Sequence, residues 1–386
     1  MNPLLITGFG TNISVDKRRL IIDNKLENTH YEFYPHQIPN DSIILDGHSG
    51  NTSFDALRWL IKHDVSLTML NWNGNLLSVS LPKEPASAKL KIKQYETYSN
   101  QNKKRIIAES IVKEKVKQSA SLLSQLSKYY SLDPVYIERE VNENLLTYEG
   151  NIAIQYWNSI SKVFNKLYPE FRFTSRNGRK HSWNMNASDE INALLNYGYA
   201  ILESEIRKDL NVIGLDLSIG FLHELKDGRS SLVYDVQELY RWLIDLAVIQ
   251  LLEEKKLKKS DFILTENYNI RLRENTAKML IDKIRLNFNS KALYEGKYHS
   301  YQNILLENVR ILADYISGKS KALKFDIPNL ELIREDSTEL RDKILAMTPE
   351  ERRRLNLRRN TLWYMKKHIK EGKRIKVYSK VMDKIN

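Results

Sequence analysis

The first 85 or so residues alternate apolar and polar positions between turn signals, which predicts short β-strands. The segments LLITGFGTNISVDKRRLIID, SIILDGH and SLTMLNWNGNLLSVSLP carry this pattern. In the last of them, Asn73-Gly74 lies between apolar runs and predicts a type I′ hairpin turn. One amphipathic helix interrupts the strands at SFDALRWLIKHD, with Ser53 as its predicted N-cap. We therefore predict a small β-rich domain over residues 1–85.

A proline-flanked linker separates these strands from a long region of helical periodicity. LPKEPASAK holds Pro82 and Pro85, which interrupt regular structure. From about Ala88 to about Gly318 the apolar residues recur with the 3.6-residue period of helices. This pattern predicts a helical domain over residues 86–325. Together with the β-rich first domain, it makes the expected fold class α+β.

The last section, residues 326–386, has the pattern of a helix-turn-helix. Thr348 and Pro349 are typical of an N-cap and of the first helical position. Asn356-Leu357 predicts a turn, and a second helix begins near Arg359. The predicted core of this small domain consists of Leu355, Leu357, Leu362, Met365 and Trp363.

Composition narrows the class of protein. The chain has 386 residues, which predicts two or three domains, and it has no cysteine, which excludes disulfides and thiolate zinc sites. No basic leader and no apolar run of about 18 residues is present, so we expect a cytosolic protein. The net charge is +12, and residues 348–386 hold 13 Lys/Arg against 4 Asp/Glu. Positive charge so concentrated favours a polyanionic partner such as DNA.

A carboxylate occupies the apolar stripe of one predicted helix. The helix that opens at Glu149 places its apolar side chains on one face, and Glu149 lies on the same face. A carboxylate there is costly unless it is paired, protonated or bound to a metal. The apolar stripe consists of Ile152, Ala153, Tyr156, Trp157, Ile160, Val163, Phe164 and Leu167.

Three further candidates lie in GLDLSIGFLHELKDGRSSLVYDVQELYR. His223 lies twelve positions before Asp235, which lies three before Glu238, so the two acids are about one helical turn apart. With Glu149 they offer one imidazole and three carboxylates, which suit Mn²⁺ or Mg²⁺. Such a set is typical of metal-dependent phosphoryl transfer. The alternative is that the acids form ordinary salt bridges with Arg229 and Arg241.

Several long motifs resemble the integrases of CRISPR adaptation over residues 3–318. The resemblance implies a β-rich N-terminal domain, a helical catalytic domain and a reaction in which a free DNA 3′-hydroxyl attacks a phosphodiester of target DNA. It also implies that Glu149, His223 and an acid of the DxxE motif bind the metal; that acid is Glu238 or the adjacent Asp235, because the family varies here. The motifs are DGHSGNTSFDALRWLIKHDVSLTMLNWNG (46–74), YEGNIAIQYW (148–157), NALLNYGYAILESEI (192–206), GLDLSIGFLH (214–223) and GRSSLVYDVQELYR (228–241).

Basic residues around this site are predicted to hold DNA phosphates. They are Arg176, Arg179, Lys180, His181, Arg229 and Arg241. An alternative for Arg241 is an ion pair with Asp245. Nearby, Asn192, Asn196 and Tyr199 either orient the ligands or form hydrogen bonds of helix packing.

The basic C-terminal section resembles that of casposases, the transposases related to the CRISPR integrases. We therefore favour a casposase-like integrase that acts on double-stranded DNA as a homodimer, formed through the β-rich domain, or as a higher assembly. One alternative is a CRISPR integrase with a small partner protein, and another is a non-catalytic DNA-binding regulator. The residues predicted to contact bases or phosphates are Arg358, Arg359, Asn360, Thr361 and Tyr364, and those predicted to neutralise phosphates are Lys366, Lys367 and Lys370.

Overall fold

A computed structural model divides the protein into two compact units. The first unit comprises Met1–Leu123 and Tyr136–Pro328, and the second comprises Ser124–Val135 and Asn329–Asn386. The predicted boundary at residue 85 falls inside the first unit, and the division into three domains stays a prediction. The structure describes residues 1–71, 73–81, 87–130, 144–176, 187, 189–254, 257–265, 269–330 and 338–371.

The first unit begins with a six-stranded mixed sheet, which agrees with the predicted β-rich region. Its order is β3-β2-β1-β4-β5-β6. The central pairs β1–β4 and β4–β5 are parallel, and the outer pairs are antiparallel. Helix α1 (Phe54–Lys62) makes the crossover between β4 and β5. The strands are β1 (Pro3–Asp16), β2 (Arg19–Asn24), β3 (Thr29–Phe33), β4 (Ser42–Thr52), β5 (Ser66–Leu70) and β6 (Leu76–Ser80).

Two local predictions in this region had different outcomes. Ser53 caps α1 as predicted, because its hydroxyl accepts a hydrogen bond from Ala56 N at 3.1 Å. The type I′ turn is wrong. Gly74 N donates to Asn71 O, Asn71 N donates to Asn75 O, and Gly74 has a φ of +80°. This is the pattern of a three-residue loop with a glycine bulge.

Helices dominate the rest of the first unit, as the 3.6-residue period predicts. The predicted limits near Ala88 and Gly318 agree with the start of α2 and with the left-handed cap of α9. Two short hairpins, β7–β8 and β9–β10, interrupt the helices and were not predicted. The elements are α2 (Ala88–Ser99), α3 (Gln101–Tyr130), α4 (Leu145–Leu167), α5 (Glu190–Ile213), α6 (Ser231–Glu238), α7 (Arg241–Glu254), β7 (Phe262–Leu264), β8 (Ile270–Leu272), α8 (Glu274–Asn289), β9 (Lys291–Tyr294), β10 (Lys297–Ser300) and α9 (Tyr301–Ser317).

Helix α5 positions much of the site because most of its 24 residues are buried. Asp189 caps its start by accepting from Asn192 N, and Gly214 ends it in the left-handed conformation. Gly198 allows α7 to approach closely, since a Cβ there would lie 2.5 Å from Ile244 Cγ2. α5 and α7 therefore form a rigid pair behind the predicted catalytic acids.

The second unit contains three described helices, α10 (Thr338–Ala346), α11 (Pro349–Arg354) and α12 (Arg359–Lys370). Thr348 and Glu351 form a capping box at the start of α11, as the Thr348–Pro349 pair suggested. Trp363 was predicted to lie in the core, and this prediction is wrong: it is 56% exposed. It points away because Leu362 and Met365 already turn the other face of α12 inward. The buried cluster consists of Ile344, Met347, Leu357, Leu362 and Met365, with Leu355 and Ile369 packed against it.

No helix among the described residues is both long enough and apolar enough to cross a lipid bilayer.

Candidate active site

Glu149 and Glu238 meet at a single lysine. Glu149 lies in the first turns of α4 and Glu238 is the last residue of α6. The Lys115 ammonium, from α3, bonds Glu149 Oε1 and lies 2.6 Å from Glu238 Oε2. Arg241 Nη1 lies 3.2 Å from the other oxygen of Glu238, Oε1. The two acids thus share a cluster with two cations.

Burial and charge set the ionisation of this cluster. Burial alone raises the pKa of Glu238, but the Lys115 and Arg241 charges outweigh it and lower that pKa to about 2. Burial likewise opposes the charge of Lys115, yet Glu238 and Glu149 raise its pKa above the ordinary value. Glu238 is therefore ionised, and Lys115 charged, throughout the neutral pH range.

His223 is held by Asp235, which is completely buried. Asp235 Oδ1 lies 2.7 Å from His223 Nδ1 and accepts from His223 N at 3.0 Å. Its other oxygen, Oδ2, accepts from the backbone amides of Phe221 and Leu222. Since Asp235 accepts from three backbone amides, we assign it as the acceptor toward Nδ1 as well, which leaves Nε2 as the ring atom that can bind a ligand.

The chain folds tightly at this histidine because position 220 is glycine. A Cβ on Gly220 would lie 2.7 Å from the backbone carbon of Ser231 and 2.9 Å from Asp235 Oδ2. The loop that carries His223 therefore lies directly against the first turn of α6. The glycine of the GFLH motif thus lets this loop approach α6 closely, and the histidine of the motif supplies the imidazole.

The four predicted metal ligands form two pairs in the structure. Glu149 and Glu238 share Lys115, and His223 pairs with Asp235. His223 is close enough to Glu238 to contribute to the lowering of its pKa. Within the described part of the chain, no group of three or more His, Cys, Asp or Glu side chains is arranged to hold a metal ion.

A buried polar network of Asp245, Tyr156 and Tyr199 lies against Arg241. Asp245 accepts from the hydroxyls of Tyr199 at 2.5 Å and Tyr156 at 2.6 Å. Burial raises the pKa of Asp245 despite these hydrogen bonds. The Arg241 guanidinium lies 4.2 Å from the centroid of the Tyr199 ring. Arg241 thus pairs with Glu238, and Asp245 bonds the two tyrosines.

Arg176 joins the same network from the segment that follows α4. Its guanidinium donates to Asn192 Oδ1 at 2.5 Å and to Asn196 Oδ1 at 2.8 Å. It also lies over the rings of Trp157 and Tyr199. Asn192 and Asn196 therefore orient Arg176.

Of the other residues near the site that were predicted to contact phosphates, the structure describes Arg229. Arg229 lies over the ring of Tyr234, with its guanidinium carbon 5.0 Å from the centroid. The predicted contacts Arg179, Lys180 and His181 lie outside the described residues.

Lys115 is a site residue that the sequence reasoning missed. The signal was present, because Lys115 follows Ile111 by four positions and Ala108 by seven, and both are buried. A lysine on an apolar stripe needs a buried partner for the same reason that Glu149 does. Once α3 and α4 are taken as neighbours, the lysine on the apolar face of one helix and the glutamate on the apolar face of the other are expected to form an ion pair.

The exposed face of α12 carries aromatic, amide and basic side chains. Asn360, Trp363, Tyr364 and Lys367 are all exposed on it, and the Lys367 ammonium lies 5.2 Å from the centroid of the Trp363 ring. Arg358, Arg359 and Lys370 are also exposed, whereas Thr361 is half-buried. Lys366 donates to the carbonyls of Leu345 and Met347 and so joins α12 to the end of α10.

The chain combines a mixed sheet with a helical region that holds the candidate site of acids and a histidine. Comparison of the sequence with known families identifies its family. The model of the family described as CRISPR associated protein Cas1 matches residues 4–285. The chain therefore belongs to the Cas1 family.

Individual relatives agree with this assignment. A CRISPR-associated endonuclease Cas1 of Archaeoglobus fulgidus is 27% identical over 344 residues, which cover 82% of this chain and 97% of the relative. A solved casposase bound to an integration product is 36% identical, with a TM-score of 0.81, covering 90% of this chain and 99% of that one. A Cas1 protein from Thermotoga maritima shares the fold at 18% identity, with a TM-score of 0.67, covering 85% of this chain and 100% of that one.

Proposed function

We propose that the protein is a casposase-like DNA integrase. It joins a DNA 3′-hydroxyl to target DNA by phosphodiester transesterification and has a related endonuclease activity. One observation carries the proposal: Glu149 and Glu238, from two different helices, converge on one positive charge beside the oriented imidazole of His223. The similarity to a casposase over nearly its whole length supports the same reaction class.

A divalent metal, Mn²⁺ or Mg²⁺, fits the residues of this site. The Lys115 ammonium between the two glutamates acts as a stand-in cation, which indicates that their oxygens suit a positive ion. We assign Glu149, Glu238 and His223 Nε2 as the atoms that would hold the metal, a mixture of donors that suits Mn²⁺ in particular. When bound, such a metal polarises a phosphoryl oxygen and favours deprotonation of the attacking hydroxyl.

We assign Asp235 an orienting role. Its two oxygens already accept four hydrogen bonds from three backbone amides and the His223 ring. A carboxylate this fully engaged fixes the loop and the tautomer of the imidazole. Of the two acids in the DxxE motif, Glu238 is therefore the proposed ligand.

The protein's own charges prepare the site for a phosphodiester. Glu238, with a pKa of about 2, stays ionised and serves as an acceptor only, so it is not the general acid of the reaction. Arg241 holds this carboxylate from one side while its guanidinium lies over Tyr199, which fixes the direction of Glu238. Nε2 of His223, the ring nitrogen that does not face Asp235, is left to bind the metal.

The proposed DNA-reading surface is the exposed face of α12. Asn360 can form two hydrogen bonds with adenine, and aromatic edges contact the thymine methyl group. Trp363 and Tyr364 present such edges, while Lys367 and the exposed Arg359 supply charge for phosphates. The proposal therefore adds Trp363 to the predicted DNA contacts and assigns Lys366 to packing.

The extent of the matches favours a casposase over a CRISPR integrase. The casposase match leaves out about 39 residues of this chain, fewer than the 58 that follow Pro328, so it extends into the second unit. The Archaeoglobus match leaves out about 70, enough to omit that unit entirely. A transposase needs to find its own element ends, which gives a DNA-reading unit a purpose.

We further propose that the protein acts on double-stranded DNA as a homodimer through its β-rich region, or as a higher assembly. Integration joins two DNA ends, and one site per chain handles one end at a time. One solved relative is bound to an integration product, and another belongs to a Cas1–Cas2 complex with a reverse transcriptase. A CRISPR integrase that needs a small partner stays the second candidate.

A comparison of substrates tests the choice between these candidates. The purified protein is incubated with Mn²⁺ and supercoiled plasmid, and with either long element-end DNA or short spacer-sized duplexes. We expect joining of the long ends without any partner protein. Joining that required a small partner and preferred short duplexes would instead assign the protein to CRISPR adaptation. No joining of either substrate would leave a DNA-binding regulator.

A further inference from the structure

The charges around Lys115 balance without any added ion. Glu149 and Glu238 contribute two negative charges, and Lys115 and Arg241 contribute two positive ones. The Lys115 side chain is only 17% exposed, so its ammonium depends on these carboxylates rather than on water. The cluster is therefore a complete set of ion pairs in the structure as it stands.

A metal ion held by the same glutamates is incompatible with this position of Lys115. Metal–oxygen distances for Mg²⁺ are about 2.0–2.1 Å, and the Lys115 nitrogen lies 2.6 Å from Glu238 Oε2 while it also bonds Glu149. Both cations would occupy nearly the same place. Like charges so close together, away from bulk water, repel strongly.

We propose that Lys115 is an internal counter-ion that competes with the catalytic metal for Glu149 and Glu238 and leaves them when the metal binds. The inference rests on the proposed function of the site. Before metal loading, the ammonium lies between the two carboxylates and holds them close together, although they would otherwise repel. Lys115 is thus a positioning residue.

The lysine side chain suits this exchange. Its four-carbon stem is flexible, so the ammonium can move while the backbone of α3 keeps its place. After displacement, the ammonium remains beside the site as a single positive charge. An incoming phosphodiester of DNA supplies the anion that such a charge needs.

Mn²⁺ binding to the full-length protein measures this competition. Affinity is determined by calorimetry, and by the electron paramagnetic resonance signal of unbound Mn²⁺, for the wild type, Lys115→Met and Lys115→Gln. We expect both variants to bind Mn²⁺ roughly ten-fold more tightly, because the metal no longer displaces a charge-assisted pair. Lys115→Gln keeps an amide donor near the glutamates, so it still tests the proposal if Lys115→Met does not fold.

Lys117→Met is the matched control. Lys117 lies on the same helix and pairs with Glu114 and Asp326, away from the site. Its removal should leave Mn²⁺ affinity at the wild-type value. A second readout is the melting temperature, which we expect to fall for Lys115→Met in EDTA and to recover more on addition of Mn²⁺ than that of the wild type.

The outcomes separate this inference from the function on which it rests. Unchanged or weaker Mn²⁺ binding by both Lys115 variants, with normal binding by the wild type, would overturn the counter-ion role alone. Absence of binding in every protein would overturn the metal site itself and this inference with it. Tighter binding by the variants, with an unchanged control, is the result that supports the exchange.

Discussion

At the scale of single residues, the candidate site depends on charges that are partly or almost fully buried. Glu238 is 7% exposed, yet its pKa is lowered because Lys115 and Arg241 lie against its two oxygens. The cation at each oxygen offsets the charge of this buried carboxylate, although Glu238 Oε2 lacks a hydrogen-bond partner among the described residues, and removing either cation leaves part of the charge uncompensated. The side chains that we propose for function are therefore also ones on which stability depends.

The lowered pKa of Glu238 predicts an acid-dependent loss of stability. The group titrates near 4.5 when unfolded and near 2 when folded, so its contribution is complete above pH 4.5 and lost as the pH falls toward 2. The shift corresponds to about 3 kcal/mol of unfolding free energy. In urea unfolding series in EDTA, Glu238→Gln should be less stable at pH 7 and less sensitive to acid below pH 4.5. Equal slopes for both proteins in that range would contradict the ion pairs.

Asp235→Asn tests the orientation of His223. The amide keeps the size of the side chain but accepts at only one atom, so the imidazole and the loop amides lose part of their support. We expect Mn²⁺ affinity to fall roughly ten- to hundred-fold, as for other residues that orient metal ligands. Calorimetry with the purified variant measures it. An unchanged affinity would mean that Asp235 does not control the imidazole.

At the scale of elements, the site depends on close approaches that particular glycines allow. Gly220 lets the His223 loop lie on α6, whereas a Cβ added to Gly150, next to Glu149 in α4, would meet no atom within 4 Å. Glycine inside a helix is otherwise unfavourable. The two positions therefore make a matched pair for substitution by alanine.

We expect Gly220→Ala and Gly150→Ala to have opposite effects. The first should displace the His223 loop and reduce DNA joining at least ten-fold, because its Cβ would collide with the backbone of Ser231. The second should stabilise the protein by about 0.5–1 kcal/mol and leave joining intact. Parallel thermal melts and joining assays measure both. Similar activity in the two variants would show that the loop tolerates the added methyl group.

The elements also show which sequence signals were sufficient. The hydrophobic period and the capping residues predicted α1, the start of α2 and the end of α9, because these features depend on local side-chain chemistry. The spacing of Asp235 and Glu238 correctly placed them about one turn apart on a helix, but it did not predict that this helix ends at Glu238 and that Leu239 and Tyr240 separate it from α7. This break lets Glu238 turn toward Lys115 while Asp245 bonds two tyrosines, and periodicity carries no information about it.

At the scale of the whole molecule, the α+β class and the candidate acids followed from the sequence, but their partners did not. Glu149 on an apolar stripe required a buried partner, and that partner is Lys115, 34 positions away. Pairing between distant helices depends on tertiary packing, which one sequence does not reveal. Trp363 was also predicted to lie in the core, whereas Leu362 and Met365 occupy that core from the opposite face of α12.

The exposed face of α12 predicts how the molecule finds DNA. Trp363→Ala and Lys367→Ala should each weaken binding to element-end duplexes, by roughly five- to thirty-fold for the aromatic residue. Lys367→Ala should also reduce the salt dependence by about one phosphate contact. Fluorescence anisotropy across a salt series measures both, with Mn²⁺ affinity as the control that should not change. Binding unaffected by either change would exclude this face as the DNA contact.

The central claim is that Glu149, Glu238 and His223 form the site of DNA joining. The most direct measurement is strand transfer by the wild type, Glu149→Gln and a control, Glu109→Gln, with Mn²⁺, element-end DNA and supercoiled plasmid. Glu109 pairs with Arg105 on α3, apart from the site. We predict joining by the wild type and the control, and loss of joining with unchanged DNA affinity in Glu149→Gln. Full joining by Glu149→Gln would contradict the account.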